Sequence, residues 1–314
     1  MDASIIIQVV LLLVGFVFLI KGSDFFVDGA SSIASILKVP TIIVGLTIVA
    51  FGTSAPEAAV SITSSLTGSN AMAVSNVIGS NLFNMLMVIG IAALLSNLLM
   101  EKSVLEKDLP FLVGITILFA VFIFIGGDIT NIEGIILLVI LIAYIIYLIF
   151  DAKKSSESTV VEKPKWSLPK SIVFIIIGLV GIVLGGDLVV DSASAIAIAL
   201  GMSETLVGLT IVAIGTSLPE LVTSITALKK GENQLVIGNV IGSNIFNILF
   251  VLGASSAISA IPIDSGMLVD VLFMIGVTIL CFIFGKTQEK YDKKEGTILI
   301  LLFVAYMAFA ILRN

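Results

Sequence analysis

Residues 44–84 of this 314-residue chain occur twice. Moved along the chain by a constant step, Val44 to Asn84 lands without a gap on Val207 to Asn247. Gly52-Thr53-Ser54-Ala55-Pro56-Glu57 then covers Gly215-Thr216-Ser217-Leu218-Pro219-Glu220, and Asn76-Val77-Ile78-Gly79-Ser80-Asn81-Leu82-Phe83-Asn84 covers Asn239-Val240-Ile241-Gly242-Ser243-Asn244-Ile245-Phe246-Asn247. More than half of the positions in 40–84 match their counterparts in 203–247. Each copy sets a carboxylate, two hydroxyls, a proline and a glycine in an apolar run long enough to cross a bilayer. At that depth every polar group is costly unless it meets a partner or a cavity. A chain that bears this cost twice is constrained to build one shared polar site from two related pieces.

The rest of the sequence supports a membrane setting. Hydrophobic residues make up 58% and charged residues only 12%, the balance of a polytopic membrane protein. The net charge of −6 comes mostly from loops and helix ends, and no basic stripe is available for nucleic acid. Histidine is absent, which excludes imidazole proton relays and His-ligated zinc, copper or haem. The lone Cys281, inside an apolar run, supports neither a disulfide framework nor a thiolate metal site and reads as a small buried side chain. No nucleophile and base pair argues for an enzyme, and no resident cofactor or obligate protein partner is indicated; the bilayer is the expected surrounding. The N-terminus lacks a positive n-region and a cleavage site, so it reads as a first transmembrane helix.

Apolar segments at 4–37, 40–66, 71–95, 109–126, 133–150, 171–200, 204–228, 234–258, 267–285 and 296–312 predict an all-α membrane protein of ten transmembrane helices. The first and sixth are longer than a perpendicular span and are expected to tilt. Lys38, Lys102, Lys107, Lys153, Lys154, Lys163, Lys165, Lys170, Lys229, Lys230, Lys286, Lys290, Lys293 and Lys294 fall after odd-numbered helices, while loops after helices 2, 4, 6 and 8 have no Lys or Arg. Cytoplasmic loops carry the basic excess, so both termini are expected outside and 151–170 inside. The expected organisation is a first five-helix repeat at 1–150 with its motif at 44–84, a cytoplasmic linker at 151–170, and a second repeat at 171–314 with its motif at 207–247. Five helices per copy, an odd number, inverts the second copy relative to the first, an architecture of secondary transporters with a site at the midplane.

Pro56 and Pro219 each remove a backbone donor and are expected, with Gly52 and Gly215, to kink and break their helices and free carbonyls near Gly52, Thr53, Gly215 and Thr216. Hard cations such as sodium and calcium prefer such oxygen ligands. Glu57 and Glu220 follow the prolines, and no Lys or Arg in helices 2, 3, 7 or 8 can pair with them. The one mid-helix cation, Lys21, has nearer partners in Asp24 and Asp28. Two inward glutamates could meet on one ion, and their charge of −2 would balance calcium. Thr53, Ser54, Thr216 and Ser217 lie beside the glutamate face; Ser80 with Asn84, and Ser243 with Asn247, share helix faces at i and i+4. Helix packing is the competing role for the serines, whereas the two asparagines read as site-lining. Asn81 and Asn244 point elsewhere and are expected to bond between helices. Asp24, Asp28, Asp187 and Asp191 read as interfacial carboxylates, with an ion entrance as the functional alternative. Charged stretches at 101–108 and 286–295 read as loops.

With its paired Gly-Thr-Ser-x-Pro-Glu and Gly-Ser-Asn-x-x-Asn blocks, the chain resembles the sodium/calcium exchanger branch of the cation/calcium antiporters over nearly its whole length. The resemblance implies alternating access in a prokaryotic cytoplasmic membrane, with sodium entering to drive calcium out, electrogenically if three sodium ions exchange for one calcium. It implies calcium held by Glu57 and Glu220 with the carbonyls of Thr53 and Thr216. It implies sodium sites from the carbonyls of Ala50 and Ala213, the hydroxyls of Thr53, Ser54, Thr216, Ser217, Ser80 and Ser243, and the glutamates. It also implies that helices 1 and 6 move across the other eight. Some relatives carry aspartate where Asn247 stands, so Asn84 with Asn247 argues against a potassium requirement, and the short linker argues against a calcium-sensing domain. A calcium/proton exchanger of the same fold is the nearest rival, since two membrane glutamates could trade protons; the surrounding hydroxyls and amides favour sodium.

Overall fold

Glycine placement determines how the longest helices meet. In the computed structural model, which describes residues 3–68, 70–155, 163–203, 207–263 and 265–313, α1 (Ala3–Leu37) and α7 (Leu168–Ala199) lie against each other. Gly15, Gly22 and Gly29 recur every seventh residue of α1, and a Cβ on them would lie 3.0 Å from Gly185 O, 2.8 Å from Gly178 O and 2.8 Å from Ser171 O, respectively. Numbers rise on one helix as they fall on the other, so the pair is antiparallel, and its backbones approach as small residues allow in a membrane. The outward faces carry exposed Leu13, Val17, Ile176 and Val180.

The other helices are α2 (Thr41–Thr53), α3 (Ala55–Leu66), α4 (Ala71–Leu95), α5 (Val104–Gly126), α6 (Asn131–Ser155), α8 (208–215), α9 (Leu218–Lys229), α10 (Asn233–Ile258), α11 (Ser265–Gln288) and α12 (Lys293–Arg313). The central helices are α4 and α10, by far the most buried of those long enough to span. Outer helices of each half lean on the centre of the other. A Cβ at Gly134 in α6 would sit 2.7 Å from Gly253 O in α10, and one at Gly296 in α12 would sit 2.7 Å from Gly90 O in α4. Strand pairs repeat the exchange: β1 (Leu98–Leu99) pairs antiparallel with β4 (Lys290–Tyr291), and β2 (Asp128–Ile129) with β3 (Ile261–Pro262). Two capping boxes also correspond. Thr130 N–H donates to Glu133 Oε2 at 2.7 Å, and Asp292 N–H to Glu295 Oε2 at 3.1 Å, each starting an outer helix.

Eight helices among the described residues are long and apolar enough to cross a membrane, and α2 with α3 makes a ninth if that bent pair is one span. The tenth expected segment, 204–228, begins at residues outside those described; its remainder forms α8 and α9. The stretches read as loops need correction. Val104–Asp108 is a π-helical first turn of α5, because Val104 and Leu105 bury their side chains and Asp108, 5% exposed, accepts a hydrogen bond from Tyr144 at 3.0 Å. Lys286 lies within α11, whose last turn remains helical, and Lys290 lies in β4. Cys281 is fully buried, as its apolar context required.

Candidate ion-binding site

The two prolines do not kink a continuous helix. They start new ones. α2 ends at Thr53, Ser54 leaves helical geometry at φ −84° and ψ 7°, and α3 restarts at Ala55 with a 48° bend. Pro56 thereby occupies the first turn, where its missing N–H has no intrahelical partner to lose. Ser217, at φ −94° and ψ 5°, separates α8 from α9 in the same way, and Pro219 takes the equivalent place. Each break puts its serine and glutamate at a helix N-terminus inside the protein.

Glu57 and Glu220 are fully buried, and the halves hold them reciprocally. Ser54, beside Glu57 in sequence, donates to Glu220 Oε1 at 3.1 Å; Ser217, beside Glu220, donates to Glu57 Oε1 at 3.3 Å. Ser80 of α4 also donates to Glu57 Oε1 at 3.1 Å and lies 3.0 Å from Ser217 Oγ. Thr53 Oγ1 is 3.3 Å from Ser243 Oγ of α10, and both approach the Ala50 carbonyl, which also accepts the Ser54 N–H at 3.0 Å. No ion pair among the described residues involves either glutamate.

Helix winding adds to the site. Asn84 and Asn247, both fully buried, each open a π-helical stretch, Asn84–Val88 and Asn247–Leu252; such wide turns recur at functional sites because they displace backbone groups from the regular ladder. Asn247 Nδ2 donates to Ser80 Oγ at 3.0 Å and Asn81 Oδ1 at 3.1 Å, while Asn81 Nδ2 reaches Asn244 O across the two halves at 3.5 Å, the interhelical role expected of Asn81; the Asn244 side chain instead donates to Val240 O of its own helix at 2.7 Å. Glu57 Oε2, Glu220 Oε2, Asn84 Oδ1 and Asn247 Oδ1 are among the buried side-chain oxygens with no hydrogen-bond partner among the described residues, as is Asn84 Nδ2 among the nitrogens. Buried oxygens are ordinarily satisfied, and this set is chemically suited to a hard cation.

Thr216 and Gly215 occupy the second break as Thr53 and Gly52 occupy the first. The second break is wound differently, with Thr216 N–H bonded to Val212 O at 3.3 Å and Ser217 N–H to Ile214 O at 3.1 Å. Sequence reading missed Asn76 and Asn239. Each holds the backbone carbonyl of its half's glutamate, Asn76 Nδ2 to Glu57 O and Asn239 Nδ2 to Glu220 O, both at 3.3 Å. Their signal was present in the spacing, since Asn76, Ser80 and Asn84 fall at i, i+4 and i+8 on one helix face. Asp28 was also misassigned: it pairs with Lys165 and Lys230, each at 2.9 Å, and only Asp24 reaches Lys21, at 3.8 Å.

This arrangement has counterparts. A sequence profile described as sodium/calcium exchanger protein matches residues 7–150 and 170–312. The chain belongs to the sodium/calcium exchanger family. Among its relatives, the sodium/calcium exchanger MaX1 of Methanosarcina acetivorans is 32% identical over 96% of this chain and 98% of that protein. The membrane protein MJ0091 of Methanocaldococcus jannaschii is 34% identical over 94% of this chain and 95% of its own. A solved structure of the sodium-calcium exchanger NCX_Mj superposes with a TM-score of 0.86 at 32% identity, covering 97% of this chain and 99% of that one. The protein is thus a multi-span membrane transporter of the exchanger family rather than an enzyme.

Proposed function

We propose that this family member exchanges sodium for calcium across a prokaryotic cytoplasmic membrane by alternating access, and that Glu57 and Glu220 share the calcium ion. The observation that carries the reading is the pair of interlocked breaks. Each glutamate is held by the serine of the other half, and each leaves one buried oxygen unpartnered, as do the amides of Asn84 and Asn247. Two carboxylates buried without a basic partner are expensive unless a cation balances them, and one calcium does so. Three sodium ions would leave the site at +1, which makes a three-for-one cycle electrogenic. Thr53, Ser54, Ser80, Thr216, Ser217 and Ser243, with the Ala50 and Ala213 carbonyls, supply oxygens for sodium; the Thr53 and Thr216 carbonyls complete the calcium shell.

The architecture for this cycle is ten spans, two five-helix repeats of opposite orientation, with 151–170 on the cytoplasmic side and both termini outside. The glycine-lined α1 and α7 are the moving pair. The test is labelled calcium uptake into vesicles holding the purified protein, driven first by an outward sodium gradient and then by an outward proton gradient without sodium. Uptake with sodium alone supports the reading. Uptake driven only by protons makes the protein a calcium/proton exchanger, and flux without any counter-ion makes it a channel.

A further inference from the structure

We infer that Asn239, and more loosely Asn76, are positioning residues that turn the hydroxyls of Thr53 and Thr216 into obligate acceptors toward the transported sodium, an inference that rests on the site reading above. The amide orientation follows from its partners. Asn239 Nδ2 faces Glu220 O at 3.3 Å, and a carbonyl can only accept, so the NH2 group must point there and toward Ser224 Oγ at 3.0 Å. Oδ1 is then left facing Thr53 Oγ1 at 3.0 Å. Asn76 repeats all three contacts: Glu57 O at 3.3 Å, Ser61 Oγ at 3.0 Å, and Thr216 Oγ1 at 3.5 Å from its Oδ1.

A threonine hydroxyl has one proton and two lone pairs. An acceptor-only partner takes the proton, and both lone pairs are left for other contacts. Without the amide oxygen, the Thr53 proton turns to Ala50 O at 3.4 Å or Ser243 Oγ at 3.3 Å, the neighbours on the site side, and presents the wrong end of the O–H dipole to a cation. Each asparagine also works across the halves. Asn239 stands on α10, grips the start of α9 through Glu220, and orients a hydroxyl on α2. The grip on Thr53, which is fully buried, is shorter than the grip on half-buried Thr216, so Asn239 carries the larger effect.

The experiment uses the full chain in vesicles and measures half-saturating sodium and calcium concentrations for Asn239→Leu, Asn76→Leu, Thr53→Val and the Thr53→Val/Asn239→Leu pair, after each is shown to elute as a monodisperse species. Asn239→Leu should raise half-saturating sodium about tenfold, the worth of one hydrogen bond, and move calcium less. The double variant should be no worse in sodium than the more impaired single variant, since without the Thr53 hydroxyl the asparagine has nothing to orient. Equal losses for both ions, or losses that add fully with Thr53→Val, would assign Asn239 a packing role and overturn the inference. If Asn239→Leu does not fold, Asn76→Leu answers the same question with a smaller sodium shift expected. Glu57→Gln separates the two layers: retained calcium exchange in that variant sinks the site reading, whereas its loss beside an unchanged Asn239→Leu sinks only this inference.

Discussion

The two halves share a sequence block but are not packed alike. In the first, α2 is pressed onto α10: a Cβ added to Gly242 would lie 2.6 Å from Ala50 Cβ and 2.8 Å from Leu46 O. The Thr53–Asn239 contact is 3.0 Å where Thr216–Asn76 is 3.5 Å. The long helices differ too. Asp24 and Asp28 of α1 are bound by Lys230, Asp28 also by Lys165, and Ser31 donates to Glu232. The aligned Asp187 and Asp191 of α7 form no ion pair among the described residues, and Ser194, aligned with Ser31, has no hydrogen-bond partner there. The groups that make the site are duplicated; the contacts that fasten each long helix to the centre are not. That is the division a transporter needs if one ion site is to be sealed from one side at a time.

The most severe way to break the comparison is at its centre. If the carboxylates are equivalent, Glu57→Gln and Glu220→Gln should each lower sodium-driven calcium uptake by more than ~100-fold, because removing one buried charge from a balanced set costs about 3–5 kcal/mol. A large loss in one and a small loss in the other would show that the halves contribute unequally to calcium.

A second test uses the glycines at the breaks. A Cβ at Gly52 would lie 2.6 Å from Phe26 Cζ, the far end of a side chain that can swing; one at Gly215 would lie 2.1 Å from Val190 Cγ2, on a stiff β-branched residue. Gly215→Ala should therefore be the more destabilising, by about 1–3 kcal/mol, read as the drop in thermal unfolding midpoint in detergent. Val190→Ala should restore it, and Phe26→Ala should not. Equal costs at both glycines would mean that the packing difference does not persist in solution.

Much of this was legible in the residues, and physics explains what was not. Glu57 and Glu220 announced themselves because an unpaired carboxylate at membrane depth has few explanations. The helix breaks were readable from Pro56 and Pro219, though not that Ser54 and Ser217 are the residues that leave the helix, since proline tells where a ladder fails but not which neighbour turns out of it. Asn76 and Asn239 were passed over because an amide in an apolar helix reads equally as interhelical packing. The π-helical turns at Asn84 and Asn247 have no residue signature, being set by hydrogen-bond register. The asymmetry was invisible, because matching blocks imply matching packing; it comes from what presses on them, such as Phe26 against Gly52 and Val190 against Gly215, and Lys230 where the first half has Thr67.

That last difference allows the smallest and most discriminating test. Lys230 lies at a cavity of about 320 Å³ lined also by Asp28, Ser31, Ser35, Lys165 and Glu232, with its side chain 27% exposed and that of Asp28 20%. A partly screened pair of this kind contributes up to about 1 kcal/mol, so Lys230→Thr, which copies the residue at the aligned position, should shift any opening equilibrium of this cavity by about fivefold. The readout is the rate at which a water-soluble maleimide modifies Ser35→Cys in a Cys281→Ala background. That rate should rise about fivefold with Lys230→Thr and rise further when Asp28→Asn is added, since that change also removes the Lys165 pair. The reverse graft, Thr67→Lys, offers Asp187 and Asp191 a partner they lack among the described residues, and should slow exchange if α7 moves toward the α3–α4 turn as proposed. If Thr67→Lys leaves exchange untouched while Lys230→Thr speeds labelling, the lysine tether acts on α1 alone.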